Sequence, residues 1–262
     1  MNHSWTALSE EEKLIYDELD RRFSYRYPDE DLLTAKAKYS VSAIRREELE
    51  RAGEMKREAA VMSDDEITHL RNGVEKQKKA SAADIGVAYH RIMEFLDFSK
   101  VTDASGAPDI EYIAGRAEFL REHNAIDDDV YAALDIGKVA AFFESELGRR
   151  AVAAEARGVL RREKAFTLKT MRNGREMLVQ GIIDCCFEED GKMVLIDYKS
   201  SFVRPGRYHD EDLARVRDEY KVQIELYSEA VEKGCGKPVT EAYLYLIATG
   251  EMIDMAAPCD LK

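Results

Sequence analysis

Residues 159–200 read VLRREKAFTLKTMRNGREMLVQGIIDCCFEEDGKMVLIDYKS, and their pattern decides the fold. After Gly158 the apolar residues leave helical spacing and begin to alternate, which marks strands. Three strands are predicted, over 159–169, 176–187 and 192–200, joined by Asn173-Gly174 and Asp190-Gly191. Both dipeptides favour two-residue type I′ turns, where each central position needs a positive φ. Register then follows by counting back from each turn. The first turn pairs Arg172 with Arg175 and, further along, Glu163 with Asp184. The second pairs Glu189 with Lys192 and Asp184 with Asp197. Three acids on three neighbouring strands would share one face, with Lys199 two residues beyond Asp197 pointing the same way.

Directly opposed side chains stand ~4.5–5.5 Å apart at Cβ, where like charges repel. The flanks (Ile182, Ile183, Val194, Leu195, Ile196) are apolar, so water screens little. A hard divalent cation on the carboxylate oxygens is the simplest compensation. Removing either aspartate should then cost no stability without metal. The competing reading is a slipped register or a bulge that turns the acids to solvent.

Upstream, SAADIGVAYHRIMEFLDF places Ile85, Tyr89, Ile92, Phe95 and Leu96 on one helix face, and further helices are expected over 108–123 and 128–156. Downstream, a helix over 211–232 stopping at Gly234 precedes strands at 240–248 and 251–255. This order predicts an α/β domain around one mixed sheet over 81–262. Residues 1–80 read as a helical N-terminal extension, with helices at 6–22, near Ser42 and at 64–73, a loop at 28–40 and a charged connector at 74–80.

The 262 residues are 45% hydrophobic and 35% charged, as expected of a soluble globular chain. There is no apolar run of membrane-spanning length and no signal-peptide pattern, so no membrane partner and a cytoplasmic location are expected. Cys185, Cys186, Cys235 and Cys259 form neither a metal knuckle nor an iron–sulfur pattern, and read as reduced, mostly buried apolar residues. The net charge of −13 argues against nucleic acid, but residues 151–217 carry 13 basic and 11 acidic groups, a local balance of +2. No GxxxxGK[ST] phosphate loop occurs, so no ATP site is expected in this chain.

His90 follows Gly86 by one helical turn and precedes Glu94 by one; a lone helical histidine is more often structural than a ligand. Gln223 and Tyr227 share a helix face, as an amphipathic edge or as groups that reach a DNA backbone. Lys199 can neutralise Asp197 or act beside a metal-bound water. The segment Arg204–Arg217 reads as a mobile, solvated loop.

RREKAF (Glu163), QGIIDCCF (Asp184), LIDYKS (Asp197–Lys199), QIELY (Gln223–Tyr227) and GVAYH (His90) together resemble the motif series of RecB-type PD-(D/E)XK nucleases, and within them the AddA-type domains. SVSAIRR (40–46) also looks like the stretch preceding such domains. The resemblance implies a restriction-endonuclease-like core and a Mg²⁺-dependent exodeoxyribonuclease acting on single-stranded DNA in double-strand break repair and recombination, with Mn²⁺ as a second candidate ion. It further implies that His90, Asp184, Asp197 and the Tyr198 carbonyl ligate the metal, that Lys199 is catalytic, and that Glu163 is an auxiliary acid. Gln223 and Tyr227 would support the site or contact DNA. Implied partners are the helicase portion of a parent chain and an AddB-like protein; the chain reads as an excised C-terminal domain or a stand-alone relative. The alternatives are a non-catalytic DNA-binding or scaffolding domain, or a stand-alone endonuclease of the same fold.

Overall fold

In the computed structural model, residues 38–51, 80–172 and 174–256 are described. The helices expected at 6–22 and 64–73, most of the 28–40 loop and the 74–80 connector, His3, His69 and Cys259 lie outside these residues. The chain runs β1 (Tyr39–Ser40), α1 (Val41–Arg51), α2 (Ala82–Phe95), α3 (Ile110–Glu122), α4 (Asp128–Ala132), α5 (Ile136–Glu144) and α6 (Glu146–Ala156). Then follow β2 (Leu160–Arg172), β3 (Arg175–Glu189), β4 (Lys192–Lys199), α7 (His209–Cys235), β5 (Val239–Leu246) and β6 (Glu251–Asp254). Where the end of a loop was expected, Tyr39 and Ser40 add a short strand parallel to β3, opposite Val179 and Gln180. That strand and α1 belong to the same compact unit as the remaining described residues.

The six strands form one mixed sheet, in which β3 holds β2 and β4 antiparallel and β4 holds β5 parallel. Both hairpin registers fall where the turns place them: Arg172 faces Arg175, and Glu189 faces Lys192. Asp190 and Gly191 take φ of 50° and 75°, as a type I′ turn requires.

Helices α2 to α6 cover one face of the sheet, and α1 and α7 cover the other. Strand β4 is buried on both sides: Val194, Ile196 and Tyr198 enter the first core, Met193 and Leu195 the second. Such a strand reads as a continuous apolar run, which VLI at 194–196 is. In β3 the parity changes. Cys185 and Phe187 face the first core, while Val179 and Ile183 face the second, so the switch falls at Asp184.

Helix α2 starts from a capping box in which Ser81 Oγ accepts from the Asp84 amide at 3.1 Å and Asp84 Oδ2 from the Ser81 amide at 3.1 Å. Its far end is held from the sheet: Arg162 Nη1 donates to the carbonyls of Met93 (3.0 Å) and Leu96 (2.6 Å). Arg162 thereby ties the helix of His90 to the strand of Glu163. Helix α7 runs past the expected stop at Gly234 and ends at Gly236, φ 70°. The segment before it is anchored, because Asp212 accepts from the Arg204 Nε (2.8 Å), Nη2 (2.7 Å) and backbone amide (3.0 Å). Cys185 and Cys186 are buried as expected, but Cys235, on the last turn of α7, is exposed. Among the described residues no helix is long and apolar enough to cross a membrane.

Gly148, in the first turn of α6, lies hard against the end of α5. A Cβ there would overlap the Phe142 carbonyl oxygen and lie 2.7 Å from the Phe142 carbonyl carbon and 2.8 Å from Phe143 Cα, all backbone. Gly148→Ala should lose about 2–3 kcal/mol in denaturant unfolding by overpacking. Gly115→Ala, in an exposed helix position where a Cβ meets nothing within 4 Å, should gain about 0.5–1 kcal/mol. Equal effects would refute the close approach.

Candidate active site

One edge of β3 is shared by two strands. β1 pairs at Val179–Gln180 and β4 pairs from Cys185 onward, so residues 181–184 face the gap between them. The ladder to β4 stops one residue short of Asp184, and the Asp184 side chain takes over: its Oδ2 accepts from the Tyr198 amide at 2.8 Å. On the β2 side, the Glu163–Asp184 rung is likewise missing while the pairs on both sides of it hold register. Glu163 sits in the left-handed region, φ 47°, which costs a non-glycine residue about 1 kcal/mol or more. The rung therefore exists as a position, with its backbone pairing replaced by side-chain and strained geometry.

Helix α1 can close over this gap because residue 181 is glycine. A Cβ at Gly181 would lie 2.9 Å from Val41 Cγ2 and 2.9 Å from the Phe166 ring. The resulting cleft, about 770 Å³, is lined by His90, Glu163, Asp184, Lys199, Gln223 and Tyr227. Asp197 lies behind them, fully buried. Its Oδ2 pairs with Lys199 Nζ at 2.9 Å and its Oδ1 accepts from Gln223 Nε2 at 2.9 Å. His90 Nδ1 stands 3.6 Å from Asp184 Oδ2. Tyr227 packs edge-on against Phe166 at 5.7 Å. The Tyr198 ring points into the opposite core, edge-on to Phe142 at 5.4 Å, while its backbone remains beside Asp184.

The charges resist one another. Burial pushes the Glu163 carboxyl up to about 8, with repulsion from Asp184 and Glu94 adding to it. Burial also pushes Asp197 up to about 6; Lys199 opposes that shift and Asp184 reinforces it. Among the described residues no three His, Cys, Asp or Glu side chains are gathered as a metal cluster. Even so, the donor set of carboxylates with one imidazole, in mutual repulsion, has the chemistry a hard or borderline divalent cation takes.

The expectation that both aspartates are equally dispensable to stability does not survive this geometry. Asp197 is the partner of a buried ammonium, whereas Asp184 adds repulsion to Glu163. Sequence reading also passed over Tyr220, whose ring meets Lys199, and Arg45, which meets the same ring. The Lys199 ammonium lies 4.9 Å from the Tyr220 ring centre and the Arg45 guanidinium 4.6 Å from it. The SVSAIRR segment was the available signal for Arg45, but nothing in one sequence says that α1 reaches this cleft.

A family described as "PD-(D/E)XK nuclease superfamily" matches residues 65–259. Three curated relatives are named as ATP-dependent helicase/nuclease subunits. The one from Thermoanaerobacter pseudethanolicus is 33% identical over 92% of this chain. That from Alkaliphilus metalliredigens is 30% identical over 88% of the chain, and that from Desulforamulus reducens 31% over 91%. The chain spans about a fifth of the length of these relatives, 19%, 18% and 19% respectively.

In chelator, Asp197→Asn should lower the melting temperature, by a loss of about 3 kcal/mol for breaking a buried pair. Asp184→Asn should cost less than a third of that, since an amide oxygen can still accept from Tyr198 and a like charge is gone. Glu163→Gly should gain about 1 kcal/mol by relieving the left-handed backbone. Thermal melts of the three variants decide; equal losses for the two aspartates would contradict the pairing of Asp197 with Lys199.

Proposed function

Because the chain belongs to the PD-(D/E)XK nuclease superfamily, we propose that it is a divalent-metal-dependent deoxyribonuclease hydrolysing phosphodiester bonds of single-stranded DNA. The observation that carries this reading is the placement of Asp184, Asp197, Lys199 and Gln223 around one strand parting, with Lys199 Nζ 2.9 Å from Asp197. Asp184, Asp197, His90 and the Tyr198 carbonyl would hold the cation, Mg²⁺ or Mn²⁺. When bound, it supplies Lewis-acid polarisation of the scissile phosphate and a lowered pKa for a coordinated water.

The chain's own residues do the rest. Lys199, held by Asp197, offers its ammonium to the attacking oxygen and to the developing phosphate charge. Gln223 fixes the Asp197 carboxylate through Nε2, so Asp197 keeps one orientation as charge shifts around it. Glu163 is the auxiliary acid at the cleft wall, and Tyr227 lines the path of the strand. The nuclease unit extends from Lys38, since β1 and α1 build the cleft, and not from residue 81. The similarity to helicase/nuclease subunits supports exonucleolytic work beside a motor and an AddB-like partner, in DNA break repair and recombination.

Cleavage of a 5′-labelled single-stranded oligonucleotide should require Mg²⁺ or Mn²⁺ and cease in excess EDTA. Asp184→Asn, Asp197→Asn and Lys199→Ala should each lose at least about 10²-fold, the scale of removing one charged catalytic group. Metal should raise the melting temperature of the wild type and of Lys199→Ala, but not of Asp184→Asn. Cleavage that persists in chelator would overturn the mechanism, and cutting of circular single strands would replace the exonuclease reading with an endonuclease.

A further inference from the structure

Within the nuclease reading, on which this inference rests, the cleft presents an electrostatic problem that its acids make worse. A nucleic-acid strand brings a row of negative phosphates past Glu163 and Asp184. Two of the facing nitrogen groups have carboxylates at closer range: Lys199 lies 2.9 Å from Asp197, and His90 3.6 Å from Asp184. Arg45 differs. It lines the same cleft from the α1 side, and its carboxylate partner Glu219 is 3.8 Å away and shared with Arg215 at 3.4 Å. Its guanidinium lies over the Tyr220 ring, the ring that also carries Lys199, so one aromatic surface sets both cations. Its Nε is buried and meets no hydrogen-bond acceptor among the described residues. A buried donor of a permanently charged group that lacks an acceptor calls for one.

We infer that Arg45 is a substrate-positioning residue, whose guanidinium takes a backbone phosphate of the bound strand adjacent to the scissile one. A planar fork suits a phosphate, and preorganisation on Tyr220 spares the rotamer entropy of an exposed arginine. Contact to a phosphate carries no base information, so the effect is the same for every sequence.

The test compares wild type, Arg45→Met, Arg45→Lys and Arg215→Met. Arg45→Met keeps an apolar stem over Tyr220 and removes the charge with its N–H donors. Affinity for a fluorescent oligo-dT is measured in EDTA across a salt series, and KM and kcat are measured with Mg²⁺. For Arg45→Met the dependence of log affinity on log salt should shrink by about 0.7, the loss of one single-strand phosphate contact, with affinity about tenfold weaker at low salt. KM should rise by more than kcat falls. Arg45→Lys should keep the wild-type slope, and so should Arg215→Met, which removes the same charge from the far side of Glu219. A wild-type slope in Arg45→Met overturns the inference even if activity falls, because a packing defect does not alter counterion release. Absence of DNA binding by wild type overturns it as well. Should Arg45→Met fail to fold, Arg45→Gln reads the same slope. If the wild type binds but does not cleave, and Arg45→Met still loses slope, the nuclease reading fails and the role of Arg45 stands.

Discussion

The Tyr198 amide that a strand would have bonded is bonded by a side chain, and the cleft depends on that replacement. Asp184 Oδ2 takes the hydrogen at 2.8 Å where the β3–β4 ladder ends. An ordinary ladder would have continued, closed the gap beside residues 181–184 and left no opening. With the carboxylate holding the strands at their parting, β4 continues alongside β5 and carries Asp197 and Lys199 into the space under α7. The price is an unpaired backbone at Glu163 and a cluster of acids with raised proton affinity. Each is a departure from low-energy local structure, and all fall within one cleft, as stored strain at working sites commonly does.

Much of this was legible before any coordinates. The two Xaa-Gly dipeptides predicted both registers, and the pairs Arg172–Arg175 and Glu189–Lys192 fall where that reading puts them, because two-residue hairpin loops favour one pairing. The helix at Ser81, the long α7 and the strand pattern after it were visible from periodicity. Other features were not. Val41 and Arg45 reach the cleft only because Gly181 admits α1, and the Val41–Gly181 contact joins residues 140 apart in sequence, which no local pattern encodes. The parity change at Asp184 was invisible for a related reason. Alternation assumes a regular strand, and both β2 and β3 break regularity at the same rung. Gly236 replaced Gly234 as the end of α7: both residues are plausible stops, and it is Gly236 that takes the left-handed cap.

The acidic total of the chain conceals how charge is arranged. Glu163, Asp184 and Asp197 are half-buried or fully buried, each set against a named cation or a like neighbour. Burial raises the proton affinity of Asp197, and Lys199 opposes that rise while Asp184 reinforces it. Moving either neighbour changes the other interaction as well, so substitutions here are not additive. The Tyr220 ring enters the same account from the cationic side, since it bears on both Arg45 and Lys199.

The position of α1 has a consequence for how the chain becomes organised. The β2–β3 hairpin closes on a two-residue turn, and its pairs accumulate outward from Arg172 and Arg175. The ion pair that ties α1 to the tip of that hairpin, Arg172 to Glu48, spans 124 residues. Loop-closure entropy rises by about 0.6 kcal/mol with each doubling of the enclosed length, and nothing repays it until both cores are largely in place. The hairpin is thus a local structure and the cleft a global one. A chain with native strand pairing can still lack a cleft, whereas a chain with an intact cleft has already brought both ends of the described fold together.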